Sequence, residues 1–205
     1  MARWEPDARG RLENAAMELF QQRGYLRTTV GEIAERAGLT ERTFFRYFAD
    51  KREVLFSGSK ELEKSIIDHI ESLPQAASPL AAVISALAAA GDGLQERRDI
   101  HFVRARYALV TGHAEIKERE LIKLASLAAA VTKALHARGV AEPVASLAAE
   151  AGIAAFKIGF ERWLSEKKPQ SFAAHIRAAA DVLKTVVSEV KTPRARPKKN
   201  SARRP

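Results

Sequence analysis

The sequence predicts an all-α protein in which a small N-terminal helix-turn-helix domain precedes a larger C-terminal helical domain. Apolar residues recur at the helical spacing i, i+3, i+4 and i+7 in almost every segment before residue 191. No segment combines β-branched residues with the period-two alternation of a strand. At 205 residues, of which 46% are hydrophobic, the chain is long enough to bury a sizeable core.

Three short helices are predicted in the first fifty residues. The first has a single apolar face, made by Leu12, Ala15, Ala16, Leu19 and Phe20. Thr29, followed three residues later by Glu32, has the capping-box pattern that begins a second helix, and Gly38 ends that helix. Thr40 is a good N-cap for a third helix over about 41–48.

The rest of the chain is expected to form longer helices. Asp50 is placed to cap a fourth helix from Lys51 to about Ser72, and two prolines bracket the linker that follows. Further helices are predicted at about 80–90, 95–111, 114–138, 144–166 and 171–190, with a Gly-Asp-Gly break at 91–93. We therefore place a helix-turn-helix domain at 1–56, a helical domain at 57–190 and a basic tail at 191–205.

The net charge of +9 is concentrated in that tail. Residues 191–205 hold seven Lys or Arg and no acidic residue, whereas residues 53–190 hold equal numbers of basic and acidic residues. The tail has three prolines and no aliphatic residue larger than alanine. Because it cannot offset its ordering entropy by burial, we expect it to be disordered. It is either a solubilising extension or an arm that binds phosphates non-specifically.

Composition argues against several classes of function. No cysteine is present, so disulfides, thiolate nucleophiles and cysteine metal sites are ruled out. The five histidines are dispersed without HxxxH spacing, and neither a phosphate-cradling glycine loop nor a serine elbow occurs. We therefore expect no enzyme, no metal and no cofactor. No apolar run approaches the roughly 20 residues of a membrane span, and the charged N-terminus lacks a signal peptide's apolar segment, so we expect a cytoplasmic protein with no membrane partner.

The segment at residues 28–55 is the most informative part of the chain. Two short helices joined by a glycine-containing turn form a helix-turn-helix, whose second helix can lie in the major groove of double-stranded DNA. Phe44 and Phe48 are spaced to anchor that helix on the first two helices. Arg42, Phe45 and Arg46 then project from its other side. A large aromatic between two arginines is unusual on a solvated face and favours a surface that meets a partner.

This segment resembles the DNA-binding domain of the TetR family of bacterial transcriptional regulators. The resemblance covers about residues 9–56 and rests on the turn Gly38-Leu39-Thr40, the aromatic-rich stretch 43–48 and Lys51. It implies a homodimer that binds a double-stranded DNA operator and associates with the nucleoid when it does so. It also implies a repressor that a small-molecule effector releases from the operator.

The resemblance assigns four residues to the phosphate backbone. Thr29 and Thr40 lie at the N-termini of the second and third helices, where free N–H groups attract an anion. Tyr47 and Lys51 match further phosphate contacts, which position a domain without reading sequence.

Four more residues are assigned to the face that meets the bases. Glu41 and Arg42 match positions that reach base edges, where arginine suits guanine and glutamate suits cytosine. Phe45 stands where the family often has tyrosine. Because it lacks the hydroxyl that would contact phosphate, we expect an apolar contact, such as one with a thymine methyl. Arg46 lies on the same face.

Two patterns in the last helices favour self-association. One is a stripe of small residues, made by Ala148, Gly152, Ala155 and Gly159. The other is an apolar seam with near-heptad spacing, made by Phe172, Ile176, Ala179, Leu183, Val186 and Val190. Both are also compatible with packing inside one subunit. In the TetR family the last two long helices form a four-helix bundle with a second subunit, so the resemblance favours dimerisation.

By the same resemblance the middle helices enclose an effector cavity. Its expected wall residues are Phe102, Tyr107, Phe156, Phe160 and Trp163, with His101, Arg104 and His113 as polar contacts. Aromatic residues at helical spacing are, however, more often core than pocket. Three alternatives therefore stay open: a DNA-binding activator, a regulator that no longer responds to a ligand, and a helical enzyme or lipid carrier that keeps the N-terminal motif for structure.

Overall fold

The computed structural model of the protein describes residues 7–167 and 170–188. Every regular element within these residues is a helix, which confirms the predicted fold class. The predicted basic tail at 191–205 and Val190 of the predicted seam lie outside the described residues.

Three helices and a 3-10 turn form the N-terminal domain. They are α1 (Ala8–Arg23), α2 (Val30–Arg36), α3 (Glu41–Tyr47) and the 3-10 turn Glu53–Phe56. The apolar faces of these elements meet in one core, which includes Leu12, Phe20, Ile33, Phe44 and Phe56. The periodicity of α1 and the caps of α2 and α3 predicted this arrangement.

The described C-terminal region is built from longer helices. They are α4 (Ser59–Ser72), α5 (Pro79–Arg97), α6 (Ile100–Gly112), α7 (Ala114–Ala137), α8 (Val144–Ser165) and α9 (Phe172–Ser188). α8 packs against α5, α7 and α9, and α4 packs against α5 and α7. Val110 of α6 and Ile116 of α7 join the core of the N-terminal domain, so the α6–α7 junction is the point where the larger domain docks on the smaller one.

The fourth helix begins later than predicted, at Ser59 rather than Lys51. Asp50 does act as a cap, because its carboxylate accepts hydrogen bonds from the backbone N–H groups of Arg52 at 2.8 Å and Glu53 at 3.1 Å. The turn that it caps is the 3-10 turn. Gly58 then adopts a φ of 80°, a left-handed conformation that interrupts the helical path and that glycine tolerates best.

The predicted break at 91–93 is wrong, since α5 runs through Gly91 and ends at Arg97. A Cβ atom at Gly91 would lie 3.0 Å from the Phe172 ring and 3.1 Å from Ile176. The glycine therefore admits the close approach of α9 and does not stop α5. The chain breaks instead at Arg98, which has extended dihedral angles, and Asp99 caps α6 by accepting from the N–H of His101 at 2.7 Å.

The stripe of small residues on α8 packs inside the subunit, so its predicted place in a dimer contact is wrong. A Cβ atom at Gly152 would overlap Val83 of α5, and one at Gly159 would lie 2.9 Å from the backbone of Ile176 in α9. Part of the predicted seam on α9 is also internal, because Phe172, Ile176 and Ala179 are buried in the monomer.

Candidate DNA interface and effector cavity

Two phenylalanines hold α3 against the rest of the N-terminal domain. Phe44 is fully buried and Phe48 is 4% exposed, and their ring centroids lie 5.5 Å apart. This confirms the predicted anchoring. With one side of α3 fixed in this way, the direction of its other side is fixed as well.

The opposite side of α3 faces solvent. Glu41, Arg42, Phe45, Arg46 and Tyr47 are all exposed, and Phe45 has 54% of its surface accessible. The Phe45 and Phe44 rings meet edge to face, with their centroids 5.6 Å apart. The buried Phe44 ring therefore orients the exposed ring of Phe45. Arg46 donates to the Tyr47 hydroxyl at 3.2 Å and stacks over that ring, so these two side chains present a joined cationic and aromatic surface.

The two predicted N-caps are in place at helix ends that open to solvent. The Thr29 hydroxyl accepts from the N–H of Glu32 at 3.2 Å, while the Glu32 carboxylate accepts from the Thr29 N–H at 2.9 Å, which completes the capping box. These hydrogen bonds from Thr29 lower the pKa of Glu32. The Thr40 hydroxyl accepts from the N–H of Thr43 at 3.2 Å. Both caps fix the helix N-termini at the surface that would face phosphates.

Lys51 is engaged in a way that the sequence did not reveal. Its ammonium donates to the carbonyl oxygens of Tyr25 at 2.8 Å and Thr28 at 2.9 Å, with Leu26 at 3.4 Å. It also lies 4.4 Å from the centre of the Tyr25 ring. An ammonium has three donors, so a phosphate contact would require Lys51 to release one of these carbonyls. Here it positions the loop between α1 and α2, which leads directly to Thr29.

A cavity of about 1370 Å³ opens between α4, α6, α7 and α8. Four predicted wall residues line it: Phe102, Tyr107, Phe156 and Phe160. The Tyr107 hydroxyl donates to Glu161 at 3.3 Å, and burial together with that carboxylate raises the pKa of Tyr107.

Two of the residues predicted for this cavity, the polar contact His101 and the wall residue Trp163, do not line it. His101 is exposed on the outside of α6. Trp163 is 1% exposed, stacks on Phe172 at 4.9 Å and donates its indole N–H to the carbonyl of Gln170 at 3.1 Å. Trp163 is therefore a core residue with its polar atom satisfied, as is usual for a buried tryptophan.

Arg104 and His113, which were predicted as polar contacts of the effector, contact other parts of the protein instead. Arg104 donates to the carbonyl oxygens of Leu164, at 3.1 Å, and Glu166. His113 packs against the Tyr25 ring at 5.0 Å, at the junction between the two domains.

The floor of the cavity belongs to the N-terminal domain and was not predicted. Met17 of α1, with Val54, Leu55 and Phe56 of the 3-10 turn, is buried and lines the cavity. These residues lie far in sequence from α6 and α8. No local pattern signals that they share a cavity with those helices.

Within the residues that the structure describes, no helix is long and apolar enough to cross a bilayer. The same residues contain no group of three or more His, Cys, Asp or Glu side chains that could hold a metal ion.

Residues 13–57 match the family model described as bacterial regulatory proteins, tetR family. The N-terminal domain is thus similar to the DNA-binding domain of TetR-family regulators. One relative is the HTH-type transcriptional regulator TcmR of Streptomyces glaucescens, which is 38% identical to this chain over 81 residues. The aligned residues make up 40% of this chain and 36% of TcmR. The chain thus spans about a third of the length of the curated relatives that it matches, and those relatives are named as regulators.

Solved structures extend the likeness to the C-terminal helices. FadR of Thermus thermophilus, a repressor crystallised with lauroyl-CoA, superposes with a TM-score of 0.56 at 19% identity over 91% of this chain and 97% of that one. SmeT, the repressor of a Stenotrophomonas maltophilia multidrug efflux pump, gives 0.55 at 18% identity over 87% and 89% of the two chains. At these identities the likeness shows the fold.

Proposed function

We propose that this chain is a sequence-specific DNA-binding repressor that works as a homodimer and leaves its operator when a small-molecule effector enters the cavity. The observation that carries the proposal is the exposed face of α3, where Arg42, Phe45 and Arg46 project from a helix held by buried Phe44. A helix anchored on one side and rich in arginine on the other suits the major groove.

The residues of that face divide between base reading and positioning. Arg42 lies in the first turn of α3, and as a bidentate donor it matches the O6 and N7 atoms of guanine. Glu41 beside it can accept from the N4 amino group of cytosine, and Phe45 can meet a thymine methyl. Arg46 and Tyr47 form the joined pair described above, which suits a phosphate.

The phosphate roles of Thr29 and Thr40 rest on the exposed helix N-termini that these residues cap. The N–H groups of α2 and α3 that the caps leave unbonded can meet phosphate oxygens. For Lys51 we propose a positioning role instead, because its three donors already serve the loop that precedes Thr29.

The dimer would form through faces of α8 and α9 that remain apolar at the surface of the monomer. On α8, Leu147 is 66% and Ile158 is 48% exposed, with Ala154 between them. On α9, Val182 and Val186 are exposed at a spacing of one turn. Each residue of this α8 face comes one position before a member of the small-residue stripe that packs internally. A second copy of the chain would cover the face.

The effector proposal rests on a cavity that combines buried apolar walls with an opening to solvent. FadR of Thermus thermophilus forms a complex with lauroyl-CoA and SmeT forms one with triclosan, so proteins of this fold include repressors that bind small molecules. We place the protein in the cytoplasm, at the nucleoid when it is bound to DNA. The relatives are named as regulators, and we propose no enzymatic activity.

Selection of genomic fragments by the purified full-length protein tests the proposal. The expected product is a pseudo-palindromic sequence whose half-sites lie about one duplex turn apart, as paired recognition helices require. The proposal would be contradicted if the folded, dimeric protein enriched no sequence above its level in the input.

A further inference from the structure

The cavity is bounded by both domains, and several ion pairs link them. Besides Arg9–Glu61, Arg119–Glu53 and Lys123–Glu53, there is a pair at the edge of the cavity whose carboxylate is buried. Arg98 and Glu13 both line the cavity, and the Arg98 guanidinium donates to the Glu13 carboxylate. Arg98 lies at the break between α5 and α6, whereas Glu13 lies on α1. The pair therefore joins the effector-binding helices to the first helix of the DNA-binding domain.

Glu13 is an unusual carboxylate, because it is only 7% exposed. Besides Arg98 it accepts a hydrogen bond from the Ser57 hydroxyl, and the guanidinium of Arg9 lies 3.9 Å away. A buried charge is costly unless it is paired. Removing Arg98 would leave Glu13 with the hydroxyl and one longer contact, so the arrangement in which Glu13 is buried depends on Arg98.

The charges around the cavity favour an anion. Its lining includes eight basic residues, namely Lys60, Arg97, Arg98, Arg106, Lys117, Arg119, Lys123 and Lys157. Five acidic residues accompany them, namely Glu13, Glu61, Glu63, Glu120 and Glu161. The excess of three positive charges surrounds walls that are buried and apolar, so a molecule with an apolar body and an anionic head fits the distribution.

Of two half-buried arginines that line the cavity, Arg98 makes fewer hydrogen bonds than Arg106. Arg106 donates to the carbonyl of Leu55 at 2.6 Å and to Glu120 at 2.9 Å. Within the described part of the chain, Arg98 makes its hydrogen bond with Glu13 alone. Its guanidinium also lies 4.7 Å from the centre of the Phe102 ring, itself a wall residue.

We propose that the effector is an elongated apolar molecule with one carboxylate or similar anionic head, and that this head takes Arg98 from Glu13. The apolar body lies along Phe102, Phe156 and Phe160, and the head meets the guanidinium at the α5–α6 break. This inference rests on the proposed repressor function, and it specifies both the effector class and the contact that carries its signal.

The exchange would weaken the attachment of α1 to the effector-binding helices. Once Arg98 turns to the ligand, the buried Glu13 carboxylate loses the cation that is hydrogen-bonded to it. The arrangement in which the pair is made, which we assign to the operator-bound form, is then disfavoured relative to others. A neutral ligand of the same length would fill the cavity and leave the Arg98–Glu13 pair in place.

The first experiment compares decanoate with decanol on the full-length protein by titration calorimetry. We expect decanoate to bind roughly tenfold more tightly, as a charge-assisted hydrogen bond would give. Arg98→Met should abolish the preference, and Arg98→Lys should retain part of it. Arg97→Met is the matched control, since it removes the same charge one residue away on the same cavity and should keep the preference.

A variant of Glu13 tests the same exchange of partners by Arg98. Glu13→Gln removes the competing carboxylate, so it should bind decanoate more tightly than the unaltered protein, and decanol equally well. It should also bind the selected operator more weakly without any ligand. Thermal midpoints measured for every variant identify those that remain folded.

Several outcomes would overturn the inference. Equal binding of decanoate and decanol, binding of neither, or an equal effect of Arg97→Met and Arg98→Met would each do so while leaving DNA recognition intact. A Glu13→Gln variant with unchanged affinity for decanoate would contradict the exchange. Failure of the protein to select any DNA sequence would instead remove the proposed function, and the calorimetric preference could still be read.

Discussion

The ammonium of Lys51 donates to the carbonyl oxygen of Thr28 at 2.9 Å, which ties the segment after α3 to the residue preceding the N-cap of α2. The helix that would read bases and the helix N-terminus that would hold a phosphate are therefore connected by one side chain. A DNA-binding surface built from two helices needs their relative placement fixed, and this contact helps to fix it.

Lys51→Met should destabilise the protein by about 1–3 kcal/mol, because it leaves carbonyl oxygens without their donor. Urea unfolding measures this change. Operator affinity should fall while the slope of log K against log salt stays the same, since no phosphate contact is lost. Lys64→Met, at an exposed pair on α4, is the control. A slope smaller by about one would show that Lys51 contacts phosphate after all.

Gly152→Leu should destabilise the isolated subunit, because the new side chain would enter the space of Val83. Overpacking of a core typically costs about 1–3 kcal/mol. Chemical unfolding at a protein concentration that keeps the oligomeric state constant would measure it. Glu150→Leu adds a leucine at an exposed position of the same helix and should be nearly neutral. Unchanged stability of the Gly152 variant would mean that α5 and α8 are less closely packed.

Leu147→Glu should shift the protein towards monomer, because it places a charge within the apolar face proposed to meet a second copy. Sedimentation velocity would show the shift, and circular dichroism should show that helicity is retained. Leu26→Glu changes a leucine of similar exposure, 73% against 66%, on the other domain and should leave the oligomeric state unchanged. A dimeric Leu147 variant would place the interface on another surface.

Truncation after Val190 should reduce non-specific DNA affinity and the salt dependence of binding. It removes seven basic residues and no acidic residue, while the residues assigned to base reading stay in place. Fluorescence anisotropy on an unrelated duplex at several salt concentrations measures the effect. An identical salt slope with and without the tail would favour the solubilising extension.

The sequence predicts the parts of this protein that depend on neighbours within one turn. Thr29 and Glu32 close the capping box that their spacing indicates, and Phe44 and Phe48 are buried as their spacing requires. Gly91 misled the prediction because a glycine inside a helix can serve close packing as well as termination. Gly91 makes room for the ring of Phe172, a residue distant in sequence.

Long-range relationships account for the other differences. The small residues of α8 do allow a close helix approach, but to α5 and α9 of the same subunit, and only the assembled fold shows this. The contact of Glu13 with Arg98 joins residues 85 positions apart, and no periodicity connects them. Local chemistry thus predicted α3 and its anchored side, whereas the cavity floor needed the tertiary structure.

The affinity of Arg42→Ala for the selected operator and for an unrelated duplex tests the central claim most directly. If Arg42 makes a bidentate contact with guanine, operator binding should weaken by about 1–3 kcal/mol and non-specific binding should change little. Arg27→Ala, a change of another exposed arginine in the same domain, serves as the control and should not relax base preference. An equal loss on both duplexes in Arg42→Ala would contradict base reading by the exposed face of α3.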